Sequence, residues 1–207
     1  GLGLWRAVLR PARTQTPAAA SSLGSRTVLL TLMEIIALIV FAYLLGSIPT
    51  GYVLAKFGGV DLRQVGSGNV GATNVARAVG KWQGVLTLLA DAVKGMLPAA
   101  IGLSMTLQPA MIAAVASAAF LGHLYPLFLK FRGGKGVATG LGALLVIAPL
   151  ATLLLLAIFA AVVIPTRLVS LSSIVAAALA PFALWMFLQP PVIVLLGAFL
   201  AAMIVWR

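Results

Sequence analysis

The residues of this sequence that could do chemistry are polar and basic groups in three short segments rich in glycine or serine. Glycine lets backbone N–H groups approach an anion closely, and hydroxyl, amide and guanidinium groups add further donors. The first segment, residues 60–81, is otherwise typical of a flexible loop with Asn-Gly turns. Its density of donors favours an anion-binding function instead, carried by Ser67, Asn69, Thr73, Asn74 and Arg77.

The second segment places a lysine among glycines directly before an apolar run: Gly133, Gly134, Lys135 and Gly136. N–H groups at a helix N-terminus carry partial positive charge and bind anions, and Lys135 adds a full charge. A nucleotide P-loop would need a glycine at Leu129 and a hydroxyl residue at Gly136, so that motif is excluded. A stop-transfer cluster would explain the basic residues but not the glycines.

The third segment follows Arg167 and contains Ser170, Ser172 and Ser173. Ser170 and Ser173 would share one face of a helix. Serines in membrane helices also bond to their own backbone or pack between helices, so this segment alone leaves both interpretations open.

Three further groups lie within apolar runs. Asp91 and Lys94 have helical i, i+3 spacing, and charges at membrane depth are usually paired or face a cavity. We expect an ion pair within one helix that points at the site, with structural support and substrate contact equally open. His123, at the end of another run, is either a hydrogen-bonded interior group or a general base.

The composition indicates what must position these groups. The chain is 62% hydrophobic and 8% charged, with a mean hydropathy of +1.16, whereas soluble domains are about 25% charged. A soluble enzyme and a disordered chain are therefore excluded. Cysteine is absent and His and acids are few, so we expect no metal and no cofactor.

The net charge of +11 indicates an anionic partner. Because the cations lie in short loops between apolar runs, we expect lipid head groups or a phosphorylated small molecule, not nucleic acid.

The apolar runs predict an all-α polytopic transmembrane helical bundle of about seven spans. Residues 136–166 are ambiguous, since one helix of that length would measure about 46 Å against a hydrocarbon core of about 30 Å. Two helices broken near Pro149 are the alternative. Basic loops stay cytoplasmic, which favours two crossings there, an N-terminus outside and a cytoplasmic C-terminus. The remaining spans are 35–55, 82–103, 110–129, 168–188 and 191–206.

Residues 1–32 contradict this topology, because they carry several arginines and no acid. Their composition resembles a transit peptide or translated upstream sequence. We expect an N-terminal extension over 1–32, disordered or not native, before a transmembrane domain over 33–207.

Seven motifs follow one another along the chain: GSIPTG (46–51), DLR (61–63), GSGNVGATNVAR (66–77), DAVKG (91–95), GHLYP (122–126), RGGKGVAT (132–139) and VSLSS (169–173). In this order they resemble the bacterial PlsY family, the acyl-phosphate:glycerol-3-phosphate acyltransferases. The resemblance implies transfer of a fatty acyl group from acyl-phosphate to the 1-hydroxyl of glycerol 3-phosphate, with neither acyl-CoA nor acyl carrier protein as donor. Lysophosphatidic acid and phosphate would be the products, in phospholipid biosynthesis.

The resemblance implies that Ser67, Arg77, Lys135 and Ser173 contribute to the site and that the glycine loop around Lys135 binds the glycerol phosphate. An acyl-phosphate is already activated, so we expect direct attack by the glycerol hydroxyl, with catalysis by positioning and charge stabilisation. His123 or a substrate phosphate oxygen would accept the proton. The candidate substrate-binding residues are Asn69, Thr73, Asn74, Gly133, Gly134, Gly136 and Ser170.

We expect a monomer in the bacterial cytoplasmic (inner) membrane, in contact with membrane lipid and with its active site on the cytoplasmic face. The family usually has a tail with a His-Arg-x-Asn-Ile stretch. This chain stops at Trp206 and Arg207, where that stretch would begin, so it looks truncated and we expect weak activity or none. The alternative function is a transporter or exchanger of phosphorylated metabolites, which typically has inverted repeats and broken midplane helices.

Overall fold

The computed structural model describes residues 17–207, with side chains from residue 29 onward. Every regular element in that part of the chain is helical, as the sequence predicts. In chain order the helices are α1 (Pro17–Ser47), α2 (Thr50–Phe57), α3 (Ala72–Ala78), α4 (Lys81–Ser104), α5 (Pro109–Leu124), a short 3-10 helix (Leu127–Leu129), α6 (Val137–Ile147), α7 (Pro149–Thr166), α8 (Val169–Met186) and α9 (Pro191–Trp206).

The predicted extension over 1–32 is only partly covered by these helices. Residues 1–16 lie outside the described residues, and α1 begins at Pro17 and continues past residue 33. The helix up to Ile36 groups apart from Ala37–Arg207, which forms one compact unit. The division at residue 32 stays a prediction, and the packing and the site below lie within residues 37–207.

The apolar helices cover the expected apolar runs, although the run 35–55 is divided between α1 and α2 by a break at Ile48 and Pro49. Within residues 17–207, five segments are long and apolar enough to cross a membrane, and two shorter apolar helices, α6 and α9, accompany them. The break in residues 136–166 is confirmed, because α6 ends at Ile147 and α7 starts at Pro149. Proline fits the first turn of a helix, whose N–H groups have no partner within the helix. The count of seven crossings and the orientation of the termini stay predictions.

Glycines let two helix pairs pack closely. On α4, a Cβ at Gly95 would overlap the carbonyl oxygen of Thr139, and on α6 a Cβ at Gly142 would overlap that of Ala92. Between α1 and α5, Gly46 and Gly122 meet backbone in the same way. Such close approach through small residues drives helix association in membranes, and it sets the start of α6 directly against α4.

Replacing Gly95 by alanine is expected to destabilise the bundle by about 1–3 kcal/mol, the usual effect of overpacking a tight contact. The added methyl group would overlap backbone at Thr139 and lie 2.9 Å from the Ala143 nitrogen. Gly102→Ala is the matched control on the same helix, because its Cβ would meet side chains at no less than 3.7 Å. Thermal unfolding in detergent, followed by circular dichroism, should show a lower midpoint for Gly95→Ala only. Equal midpoints would contradict the packing argument.

Candidate functional site

A cavity of about 610 Å³ opens between α3, α4, α6, α7, α8 and α9. One part of its wall is polar and basic, and the other is formed by leucine, isoleucine, alanine and phenylalanine side chains. The apolar part includes Leu144, Leu155, Phe159, Ile174, Ala177, Ala180 and Leu200. A cavity built this way suits a ligand with an anionic end and a hydrocarbon end.

The three polar segments of the sequence meet at this cavity. Ser67, Arg77, Lys135 and Ser173 all line it, although they come from a loop, two helices and the turn before α6. The other predicted residues on its wall are Asn69, Thr73, Asn74, His123, Gly136 and Ser170. Gly133, Gly134, Ser172 and Arg167 are not among its lining residues. The structure thus brings residues of all three segments to one cavity, while the chemical role of each residue stays a prediction.

Asn74 holds the loop that presents Ser67. Its side-chain oxygen accepts a hydrogen bond from the Ser67 N–H at 3.1 Å, and its nitrogen donates to the carbonyls of Leu62 at 3.3 Å and Val65 at 3.0 Å. The glycines on both sides of Ser67 have φ of 64° and 69°, which favours glycine there. We expected Asn74 to bind substrate. In the structure its side-chain amide instead forms these three hydrogen bonds within the protein.

The glycines before Lys135 serve packing more than anion binding. The Gly133 N–H donates to the Leu124 carbonyl at 3.0 Å, and the Gly134 N–H donates to the His123 carbonyl at 3.2 Å. A Cβ on Gly133 would overlap the His123 carbonyl, and one on Gly134 would overlap the His123 ring. The two glycines were expected to bind an anion, but both donors are used within the protein. These contacts seat the loop on the end of α5, and a direct contact of either glycine with an anion stays a prediction.

Three cations surround the polar part of the cavity: Arg77, Lys135 and Arg207. Within residues 29–207, neither Arg77 nor Lys135 has an ion-pair or hydrogen-bond partner, so both charges remain available for a ligand. Arg207 donates to the Leu124 carbonyl at 2.8 Å, and its guanidinium lies 5.1 Å from the centre of the Tyr125 ring. The sequence argument missed Arg207, since a single arginine after an apolar run is also typical of a flanking charge.

The predicted ion pair within α4 is present. Lys94 Nζ lies 2.5 Å from Asp91 Oδ1, and both residues are buried. Asp91 borders the cavity, whereas Lys94 is not among its lining residues. His123 Nδ1 lies 3.7 Å from the same carboxylate oxygen. No group of His, Cys, Asp and Glu suited to hold a metal ion occurs in the described part of the chain.

The serines at the start of α8 divide between the two interpretations that the sequence left open. Ser170 is exposed and lines the cavity. Ser172 and Ser173 both donate to carbonyls of the preceding turn, at 2.8 Å. Of these two only Ser173 lines the cavity, where its hydroxyl oxygen can still accept a hydrogen bond.

Comparisons with known proteins agree on one family. The family model described as "Glycerol-3-phosphate acyltransferase" matches residues 36–207. The glycerol-3-phosphate acyltransferase of Geotalea daltonii is 49% identical over 172 residues, covering 83% of this chain and 89% of that protein. That of Syntrophotalea carbinolica is 51% identical over 168 residues, covering 80% of this chain and 86% of the relative.

Two solved structures have the same fold. A crystal structure of PlsY, an integral membrane glycerol 3-phosphate acyltransferase, in its glycerol 3-phosphate form has a TM-score of 0.82 at 42% identity. The match covers 84% of this chain and 88% of that one. The form with lysophosphatidic acid has a TM-score of 0.79 at 40% identity, covering 84% and 87% of the two chains.

Proposed function

Because the chain belongs to the glycerol-3-phosphate acyltransferase family of integral membrane enzymes, we propose that its acyl donor is an acyl-phosphate. The 1-hydroxyl of glycerol 3-phosphate is the acceptor, and the products are lysophosphatidic acid and phosphate. The reaction takes place at the cytoplasmic face of the inner membrane of a bacterium, in a bundle of seven spans. The sequence left open a transporter of phosphorylated metabolites as the alternative. The relatives are acyltransferases and do not support it.

One observation carries this proposal: two cations that have no partner among the described side chains share a single cavity with an apolar wall. Both substrates carry phosphate, and Arg77 and Lys135 can form charge-assisted hydrogen bonds to phosphate oxygens. The apolar wall can take the hydrocarbon chain of the donor, which gains free energy by leaving water. A donor with a phosphate directly on its acyl carbon places the reacting bond where the two parts of the cavity meet.

The mechanism that fits these residues is direct acyl transfer. The glycerol hydroxyl oxygen attacks the acyl carbon, and the bond from that carbon to the phosphate oxygen breaks. The phosphate leaves with the electron pair, and the hydroxyl proton passes to His123 or to a phosphate oxygen of a substrate. Arg77 and Lys135 stabilise the charge that develops on the leaving phosphate. Ser67, Thr73, Ser170 and Ser173 supply hydroxyl groups that orient the two substrates, and Asn69 and Gly136 complete the polar wall.

A comparison of donors tests the proposal. Purified protein is incubated with glycerol 3-phosphate and palmitoyl phosphate, palmitoyl-CoA or palmitoyl-acyl carrier protein, and lysophosphatidic acid is measured by mass spectrometry. We expect product from palmitoyl phosphate alone, even if turnover is slow. Product from either thioester at an equal or higher rate would overturn the proposed donor.

The apolar wall predicts a change in acyl-chain preference. Ala180 lines the cavity and is 3% exposed, and it lies two helical turns, about 10 Å, beyond Ser173. Ala180→Leu fills that space, so the rate with palmitoyl phosphate should fall relative to decanoyl phosphate by about tenfold, a typical effect of pocket volume. Ala178→Leu, at an exposed position of the same helix, is the control. The same chain preference in both variants would contradict this placement of the acyl chain.

A further inference from the structure

A buried ion pair lies beside the cavity without contributing a free charge to it. Asp91 and Lys94 are 3% and 4% exposed. The desolvation penalty of a buried ion pair can equal its Coulombic gain, so stability alone does not account for it. Each partner also makes a contact that leads to another part of the site.

Asp91 contacts both sides of the loop that carries Lys135. Its carboxylate lies 3.7 Å from His123 Nδ1, and the His123 ring and carbonyl contact Gly134. On the other side, the Asp91 carbonyl accepts a hydrogen bond from Thr139 Oγ1 at 2.9 Å. Thr139 is in the first turn of α6, so Lys135 lies between two segments that rest on one residue of α4.

Lys94 extends the same cluster toward the Ser67 loop. Its ammonium donates at 2.6 Å to the carbonyl of Ile48, in the break between α1 and α2. In the following helix, a Cβ at Gly51 would overlap the carbonyl of Val70, so α2 packs closely against the loop after Ser67. The ion pair therefore connects the supports of Lys135 and Ser67.

We propose that Asp91 and Lys94 are positioning residues whose ion pair fixes Lys135 at the cavity, acting through His123, and that neither binds substrate. A tightly packed loop keeps an ammonium within hydrogen-bonding distance of a phosphate. The expected effect on ligand affinity rests on the proposed function, whereas the effect on the loop itself does not.

The first experiment measures loop order directly, using the fact that the chain has no cysteine. A nitroxide label is attached at Lys135→Cys, or at Lys130→Cys, which is exposed, lies in the same loop and does not line the cavity. Each is recorded by electron paramagnetic resonance with and without Asp91→Leu/Lys94→Met. An apolar replacement of the whole pair leaves no unpaired buried charge, so the fold should persist.

We expect the double substitution to increase the mobility of the label at Lys135→Cys and to leave the label at Lys130→Cys unchanged. Unchanged mobility at both positions, or an equal increase at both, would overturn the proposal. If the double variant does not fold, Asp91→Asn/Lys94→Met removes both charges while keeping the shape of the aspartate side chain, and the same two labels decide.

Binding of glycerol 3-phosphate provides the second readout. The double variant should bind it about tenfold more weakly, whereas adding the double substitution to Lys135→Met should change affinity by less than about threefold, because coupled residues are not additive. Losses that multiply would show a general structural role and overturn the proposal. If the unsubstituted protein does not bind glycerol 3-phosphate, the proposed function fails, and the labels still test the positioning.

Discussion

Replacing Lys135 by methionine should lower the rate of acyl transfer by about 10²–10³-fold, the usual effect of removing one donor aimed at developing charge. Lys135 lines the cavity and has no partner among the described side chains, so its charge is free to act on a phosphate group. Methionine keeps most of the length and apolar volume of lysine while removing the charge. The rate is measured as release of inorganic phosphate from palmitoyl phosphate in the presence of glycerol 3-phosphate.

The control for this change is Lys130→Met, which removes the same charge from an exposed position of the same loop. Lys130 does not line the cavity. The rate of acyl transfer by the Lys130→Met variant should therefore stay within about twofold of that of the unsubstituted protein, as for most surface substitutions. Equal losses in the two variants would indicate that general basic charge, rather than the position of Lys135, supports the reaction.

A second large effect is expected at Arg77. It lies on α3, one helical turn from Thr73 and Asn74, and its guanidinium is free of carboxylate partners in the described residues. Arg77→Gln should reduce the rate by about 10²–10³-fold. Arg77→Lys should recover only part of it, because an ammonium cannot reproduce the two parallel hydrogen bonds of a guanidinium to phosphate.

Arg132→Gln is the matched control for Arg77, since Arg132 is exposed and lies outside the cavity. It should leave the rate almost unchanged. Full activity in Arg77→Lys would show that a single point charge is sufficient and would contradict bidentate binding. Full activity in Arg77→Gln would show that Arg77 takes no part in the reaction.

Features that depend on local sequence could be predicted. Pro149 divides the long apolar run because its ring is favoured in the first turn of a helix, where a new helix can begin. Asp91 and Lys94 pair because a spacing of three residues places them on one face of α4. The three polar segments could also be recognised, since each lies at the end of an apolar run, and the structure places all three at one cavity.

Features that depend on distant neighbours could not be predicted. A glycine can bring its N–H to a phosphate or allow close packing, and only the nearby end of α5 shows that Gly133 and Gly134 do the second. The side chain of Asn74 could have faced a ligand, but carbonyls from earlier in the chain use its donors. Arg207 reaches the site because α9 ends beside Tyr125, a contact that no local pattern encodes.

The central claim is that one cavity holds both phosphorylated substrates and transfers the acyl group directly between them. The first turnover of purified protein with palmitoyl phosphate, with and without glycerol 3-phosphate, tests it most directly. We expect one phosphate released for each lysophosphatidic acid formed, and no release above the rate without protein when glycerol 3-phosphate is omitted. A stoichiometric burst of phosphate in its absence would reveal an acyl-enzyme and contradict direct transfer.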